Sequence, residues 1–108
     1  MQRIFVEETV NKIGEKVKVS GWVNVRRDHG KIIFIDLRDR TGLLQVVFAG
    51  DIVKKANQLR SEWVVSIEGK IRERPENLKN SKIETGAIEI EAEELEILNE
   101  AKTPPFEI

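Results

Sequence analysis

Apolar and polar residues alternate along most of the chain, which is the period of β-strands that bury one face. The first such stretch covers residues 16–27, and its apolar face consists of Val17, Val19, Gly21, Val23 and Val25. Asn24 and Arg26 fall on the opposite face. Gly21 interrupts this long strand, which predicts a bend or bulge of the kind a strand needs at the corner of a small barrel.

The same alternation predicts four further strands, at residues 31–38, 43–48, 63–74 and 87–98. Tight turns at residues 28–30 and 39–42 join the first three strands, and a polar loop at residues 75–85 joins the last two. Apolar residues at helical spacing predict a helix over residues 50–61. We expect a short helical turn at residues 6–13 to cover the bottom of the fold.

Five strands with one helix between the third and the fourth is the layout of the OB-fold, an all-β, partly open Greek-key barrel. A five-stranded sheet with one helix at its edge is the alternative that the pattern leaves open. An OB-fold binds oligonucleotides on the face formed by its second and third strands. The residues that point outward from residues 31–38 and 43–48 are therefore the first candidates for a function.

Phe34 is the most informative of these residues, because its neighbours Ile33 and Ile35 belong to the inner face. An exposed aromatic ring can stack on an unpaired base, whereas a ring packed under a loop would have only a structural role. Gln45 shares the outward register on the adjacent strand and could read a base edge, or be an ordinary solvent-facing residue. With Asn24 and Arg26 expected on the same side, the combination suits single-stranded RNA.

Two pairs of arginines flank this face, and either could bind phosphates or form surface ion pairs. They are Arg26 with Arg27, and Arg72 with Arg74. Glu89 could accept hydrogen bonds from N1–H and N2–H of a guanine, but the pattern alone favours one of many acids on a solvated face. We expect His29 to lie exposed in its turn, and Trp22 and Trp63 to be packing residues.

Composition narrows the function to binding. The 108 residues fit one domain, no cysteine is present to form disulfides, and no catalytic or metal-ligand motif accompanies the one histidine. The net charge of −1 is unevenly distributed along the chain. Residues 1–45 carry nine basic and six acidic residues, whereas residues 46–108 carry nine basic and thirteen acidic residues. Neither a run of 18 apolar residues nor a secretion signal is visible. We expect a non-catalytic, cytoplasmic module with no membrane segment, no metal site and a basic zone for a polyanion.

The run GWVNVRRDHGKIIFIDLRDRTGLLQVVF at residues 21–48, with IRERPENLKNSKIETGAIEI at residues 71–90 and the closing TPPFEI, resembles a known family. It is similar to the N-terminal anticodon-binding domain of bacterial-type aspartyl-tRNA synthetases, which are class IIb aminoacyl-tRNA synthetases. The resemblance extends over nearly the whole chain. It implies an OB-fold whose partner is the anticodon loop of a tRNA.

The resemblance also implies roles for particular residues. Phe34 matches the aromatic residue that stacks on the middle anticodon base, a uridine, and Gln45 matches the amide that reads it. Glu89 matches the acid that recognises the first base, a guanosine or its modified form. The residues matched to the surroundings of the anticodon loop are Arg26, Arg27, Arg72 or Arg74, and Asn80, with His29 near the third base. Val25 and Ala87 depart from the family pattern, where many relatives have an arginine and a glutamate.

The resemblance implies a larger protein around this chain. We expect residues 1–102 to form the anticodon-binding domain and residues 103–108 to begin a linker to a catalytic domain. That absent domain would bind ATP and magnesium, attach aspartate to its tRNA and form a homodimer. The tRNA is that of aspartate, with that of asparagine left open. The competing hypothesis is a general single-stranded nucleic-acid-binding or interaction OB-fold.

Overall fold

The computed structural model describes residues 2–100, so the predicted linker at residues 103–108 lies outside the described part. The strands of this part are β1 (Arg3–Ile4), β2 (Lys16–His29), β3 (Ile32–Asp39), β4 (Gly42–Phe48), β5 (Val64–Glu73) and β6 (Ile88–Asn99). One α-helix, α1 (Ile52–Ala56), lies between β4 and β5, and 3₁₀ helices cover Val6–Asn11 and Glu76–Leu78. The five predicted strands and the turn predicted at residues 39–42 are confirmed, whereas the first turn lies at residues 30–31, so Asp28 and His29, predicted in that turn, are the last residues of β2.

Five of the strands close into a barrel. β2 pairs antiparallel with β3 on one side and with β5 on the other, and β3 pairs antiparallel with β4. The ring is completed by a parallel β4–β6 pair and an antiparallel β5–β6 pair. This is the predicted OB-fold, and the alternative of an open sheet is wrong. β1 adds two residues parallel to β2 and was not predicted, because two residues carry no alternation.

The barrel core contains the inner faces that the alternation assigned to β3 and β4. These fully or nearly fully buried residues are Ile33, Ile35, Leu37, Leu44, Val46 and Phe48. The 3₁₀ helix near the N-terminus contributes Val6, whose backbone N–H donates to the buried Asp39 carboxylate at 2.8 Å. The α-helix is shorter than the predicted residues 50–61, because the chain leaves the helix after Ala56 in tight turns. Ala56 and Leu59 are nevertheless both buried, as the helical spacing indicates.

β2 turns a corner near Gly21, as predicted. Its partner changes from β5 to β3 at Trp22, which pairs with both strands. A Cβ atom on Gly21 would lie 2.2 Å from the backbone oxygen of Arg38, so only glycine allows β2 and β3 to approach so closely here.

The bulge in β2 comes three residues after this corner and changes the faces. Val23 pairs with Leu37 and Val25 with Asp36, so Asn24 is an extra residue opposite β3. Beyond this bulge the alternation is shifted by one residue. Val25, predicted to be inside, is 40% exposed. Arg26, predicted to be outside, pairs with the buried Ile35. Both predictions are wrong for the same reason.

Candidate nucleic-acid interface

The outer face of β3 and β4 is continuous with β6 because the barrel places β6 beside β4. The strand register forms two rows across this face. The first row runs from Val25 through Asp36, Gln45 and Glu89 to Arg72. The second row runs from Arg27 through Phe34, Val47 and Glu91 to Lys70. Gln45 and Glu89, 44 residues apart in the chain, are therefore direct neighbours.

A chain of hydrogen bonds links the polar residues of these rows. Both terminal nitrogens of Arg27 donate to the Asp36 carboxylate, at 3.0 and 3.1 Å. Nη2 of Arg27 also donates to Oε1 of Gln45 at 3.1 Å, and Nε2 of Gln45 donates to Oε1 of Glu89 at 2.9 Å. Arg72 then donates from Nε to Oε2 of Glu89 at 2.7 Å. The predicted candidates Arg27, Gln45, Glu89 and Arg72 thus form one network.

Gln45 and Glu89 are outward in register but covered by their neighbours, with only 6% and 2% of their surfaces exposed. Burial of a carboxylate is unfavourable unless donors replace the lost water, and here Gln45 and Arg72 supply one donor to each oxygen of Glu89. The alternatives of a solvent-facing Gln45 and of Glu89 as one of many acids on a solvated strand face are therefore wrong. Arg72 also contacts Glu91 at 3.1 Å, which neutralises a second acid at the edge of the network.

Phe34 lies next to this network and is only partly buried, so it is not a core residue under a loop. Its ring contacts the ring of His29 edge to face, with centroids 5.4 Å apart and planes at 88°. Such T-shaped pairs are a favourable geometry for aromatic rings. His29 is exposed, as predicted, and it also holds one side of the Phe34 ring.

Arg26 lies on the other side of β2 and belongs to the barrel. Its Nη1 donates to the backbone oxygens of Asn57 and Leu59 at 2.7 and 2.9 Å, where the chain leaves α1. Its Nε and Nη2 donate to the Asp28 carboxylate at 2.8 and 2.9 Å. These hydrogen bonds keep the pKa of Arg26 above and that of Asp28 below its ordinary value. The prediction that Arg26 shares a face with Phe34 and Gln45 is wrong.

Asn24, also predicted on that face, is the extra residue of the bulge and pairs with no residue of β3 in the described register. Asn24 therefore shifts the register of β2 against β3, and this register sets the faces on which Arg26 and Arg27 lie. The structure brings together Phe34, His29, Gln45, Glu89, Arg27 and Arg72, and places Arg26 elsewhere.

Arg74 and Asn80 shape the loop between β5 and β6. Arg74 is 7% exposed, and it donates from Nε to the Ile88 oxygen at 2.7 Å and from Nη1 to the Leu78 oxygen at 3.2 Å. Burial holds its pKa below the ordinary value, opposed by the nearby carboxylates of Asp36 and Glu89. The exposed Asn80 accepts from the backbone N–H of Lys82 at 3.0 Å in a local turn. Both residues position the loop at the end of the interface.

Asp36 was not predicted as a member of the site. The signal was present, because Asp36 follows Phe34 at the spacing of two that keeps residues on one face. Within residues 2–100 no group of three or more histidine, aspartate and glutamate side chains is arranged to bind a metal ion. Nor is any helix of this part long and apolar enough for a membrane crossing.

Comparisons with known proteins show which proteins this chain is similar to. A family model described as an OB-fold nucleic acid binding domain, of the tRNA anticodon type, matches residues 17–98. The aspartate–tRNA(Asp/Asn) ligase of Halothermothrix orenii is 55% identical over 104 residues, which is 93% of this chain and 18% of that protein. The protein of the same name from Brachyspira hyodysenteriae is 54% identical over 102 residues, or 91% of this chain and 17% of its own length.

Among solved structures, the asparaginyl-tRNA synthetase from Pyrococcus horikoshii in complex with asparaginyl-adenylate is similar, with a TM-score of 0.75 and 28% identity. The match covers 97% of this chain and 24% of that one. The chain thus spans about a fifth of the length of these relatives. Its barrel, its outer polar face and the family model over most of its length show that the chain belongs to the tRNA anticodon family of OB-fold nucleic-acid-binding domains.

Proposed function

We propose that the chain is the anticodon-recognition module of an aspartate–tRNA ligase. The observation that carries this proposal is the hydrogen-bonded pair Gln45–Glu89, which lies beside the accessible ring of Phe34 on the face that OB-folds use for oligonucleotides. A ring for stacking next to a preassembled pair of base-reading side chains suits unstacked bases of a loop. The names of the curated relatives extend the proposal to the tRNAs of aspartate and asparagine.

The interface residues have distinct roles in this proposal. Phe34 stacks on the middle base of the anticodon, supported by His29, and the Gln45 amide reads the edge of that base. Glu89 accepts from the first base, a guanine. A carboxylate has about four lone-pair positions, so the bonds from Gln45 and Arg72 leave acceptor capacity for N1–H and N2–H.

The cationic side chains around the Gln45–Glu89 pair contact the RNA backbone in this proposal. Arg27 and Arg72 keep part of their side chains exposed, at 39% and 41%, and can also contact phosphates. Arg74 and Asn80 set the loop that borders the bound anticodon. Arg26 is not part of the proposed interface, because its guanidinium is bound to the backbone next to α1.

This chain covers only 17–18% of the length of its curated relatives, so the proposal includes a larger protein around it. We infer a catalytic domain that binds ATP and magnesium and transfers aspartate to the tRNA, in a homodimeric cytoplasmic protein. The residues of this chain supply recognition and no chemical step.

The proposal is tested by titrating the domain with an anticodon stem-loop that carries GUC and with one whose loop sequence is scrambled. Tighter binding of the GUC loop is expected, with an affinity that falls as salt rises, because phosphate contacts release counterions. Equal binding of both loops would contradict the proposal and favour a general single-strand-binding OB-fold.

Two variants locate the site in the same titration. Phe34→Ala removes a base-stacking surface, which contributes about 1–3 kcal/mol per base, so we expect a loss of affinity of roughly tenfold or more. Gln45→Ala removes the amide that reads the middle base. The matched controls are Leu98→Ala and Gln58→Ala, which truncate an exposed apolar and an exposed amide side chain away from the interface. Full affinity in both test variants would place the site elsewhere.

A further inference from the structure

The orientation of the Gln45 amide carries information about which base the site selects. A glutamine side chain presents a carbonyl oxygen and an NH₂ group of similar size but opposite hydrogen-bonding character. An oxygen that faces N3 of a pyrimidine accepts from the N3–H of uracil and is repelled by the N3 lone pair of cytosine. A flipped amide would present N–H instead and reverse this preference. An amide that rotates freely would therefore discriminate poorly.

The network around Gln45 allows only one of these orientations. Arg27 donates to Oε1, and Nε2 donates to Glu89, at 3.1 and 2.9 Å. A guanidinium has only donors and an ionised carboxylate has only acceptors. A flipped amide would lose both hydrogen bonds and place N–H against N–H and oxygen against oxygen. Within residues 2–100, these two bonds leave one lone pair of Oε1 and one N–H of Nε2 for a base.

Asp36 holds the arginine that enforces this orientation. Its two oxygens accept from both terminal nitrogens of Arg27, at 3.0 and 3.1 Å, and bidentate pairs of this kind are geometrically specific. The Arg27 side chain is 39% exposed, so without this pair it could leave Gln45 for solvent. The register also places Asp36 directly beside Gln45 on the adjacent strand.

We propose that Asp36, acting through Arg27, together with Glu89 fixes the polarity of the Gln45 amide, and that this fixed polarity sets the preference for uracil over cytosine. Asp36 is then a positioning residue with no contact to the base of its own. This inference rests on the proposed function, in which Gln45 reads the middle base of the anticodon. It makes specificity at that base depend on a carboxylate that the base does not touch.

The test compares Asp36→Asn with Asp28→Asn. Asp28 forms the same kind of bidentate pair with Arg26, at 2.8 and 2.9 Å, on the other face of β2, which makes it a matched control. Each variant is titrated with stem-loops carrying GUC and GCC. A well-formed set of base contacts discriminates by tenfold or more, so we expect the preference for uracil to fall about tenfold in Asp36→Asn and to persist in Asp28→Asn.

Two further variants separate positioning from folding. Arg27→Lys keeps the charge but cannot bridge Asp36 and Gln45 with a planar fork, so it should lose the preference as Asp36→Asn does. Asp36→Glu restores the carboxylate and should recover part of the preference. A variant whose uracil preference falls only because it unfolds would lose affinity for both loops together.

A second readout uses the free protein. In the wild type the Nε2 protons of Gln45 should exchange slowly with water, as measured by NMR, whereas in Asp36→Asn their exchange should approach that of the exposed Gln58. An unchanged uracil preference in Asp36→Asn, or a lost preference with unchanged exchange of the Gln45 protons, would overturn the inference and leave the proposed function standing. Equal binding of GUC and GCC by the wild type would instead overturn both.

Discussion

Arg26 and Arg27 are consecutive residues of β2, and each forms a bidentate pair with an aspartate, yet they serve opposite sides of the barrel. Arg26 pairs with Asp28 and binds the backbone oxygens of Asn57 and Leu59 beside α1. Arg27 pairs with Asp36 and binds the amide of Gln45 in the outer network. One arginine thus stabilises the fold, and the other belongs to the proposed base-reading site.

The difference comes from the backbone and not from the side chains. The bulge at Asn24 shifts the alternation of β2 by one residue, so Arg26 faces the barrel end and Arg27 lies beside Phe34 on the outer face. Consecutive strand residues point to opposite faces, and the accommodation of Asn24 in a bulge decides which of these two chemically equal neighbours lies on the outer face. The comparison predicts that substitutions at these two positions have separable effects on stability and on RNA binding.

The largest expected effect is on stability in Arg26→Ala. This change removes a charged donor from two backbone oxygens, and hydrogen bonds of charged groups contribute about 1.5–3 kcal/mol, so we expect the free energy of unfolding to fall by about 3 kcal/mol. Urea denaturation measures the change, with the exposed Arg60→Ala as control. The folded fraction should keep its affinity for the GUC stem-loop. A denaturation midpoint equal to that of the wild type would show that Arg26 does not stabilise the barrel.

Arg27→Ala should mainly reduce the affinity for RNA, whereas Arg26→Ala mainly reduces the stability of the fold. The Arg27 side chain is 39% exposed, so water can partly replace its hydrogen bonds to Asp36 and Gln45, and its loss should lower the free energy of unfolding by about 1 kcal/mol, less than in Arg26→Ala. Affinity for the GUC loop should fall by about 1–2 kcal/mol, because a phosphate donor and the support of Gln45 are both lost. Isothermal titration and denaturation on one preparation give both values. A large stability loss with intact RNA affinity would contradict the comparison.

Deletion of Asn24 tests the bulge itself. Removing one residue from a regular strand turns every later side chain to the other face. Because Asn24 is the extra residue, its deletion should leave Val25, Arg26 and Arg27 on their present faces, with the GUC stem-loop still bound. Deletion of Ser20, in the regular part of β2, is the matched control and should prevent folding. A far-ultraviolet circular dichroism spectrum and a stem-loop titration distinguish the two, and loss of RNA binding by a folded Asn24 deletion would refute the assignment.

The smallest expected effect concerns pH. The Arg26 hydrogen bond lowers the pKa of Asp28, so its folded pKa lies below its unfolded one, and the pair stabilises the fold above the unfolded pKa. This contribution is lost as the pH falls below about 4 and through the folded pKa. Asp28→Asn should therefore melt slightly below the wild type at neutral pH, with the difference vanishing in acid. The effect should be small because Asp28 is exposed. A difference that grows on acidification would contradict the pairing.

The alternation of apolar residues was enough to predict the barrel and most of its core, because each strand buries one face. It could not reveal the bulge, since Val23 and Val25 are both apolar and continue the inward pattern unchanged across Asn24. β1 was missed because it has only two residues. The helix was predicted too long because apolar spacing continues to Leu59 after the helix has ended.

The candidate site was predictable only in part. Phe34 and Gln45 follow from alternation on neighbouring strands, whereas Glu89 needed the family resemblance, because its place beside Gln45 depends on a parallel pairing between distant segments. The role of Asp36 depends on the direction of Arg27, which the unpredicted bulge reverses. Local patterns could place residues on a strand, but the contacts of the network required the closed barrel.

The central claim is that the outer face of β3 and β4 reads the middle base of an anticodon through Gln45. Its most direct test is a titration of the wild-type domain against two stem-loops that differ only at that base, GUC and GCC. We expect a preference for the uridine of tenfold or more, as for a specific base contact. Equal affinity for the two loops would show that this face binds RNA without reading the middle base, which would contradict the role proposed for Gln45.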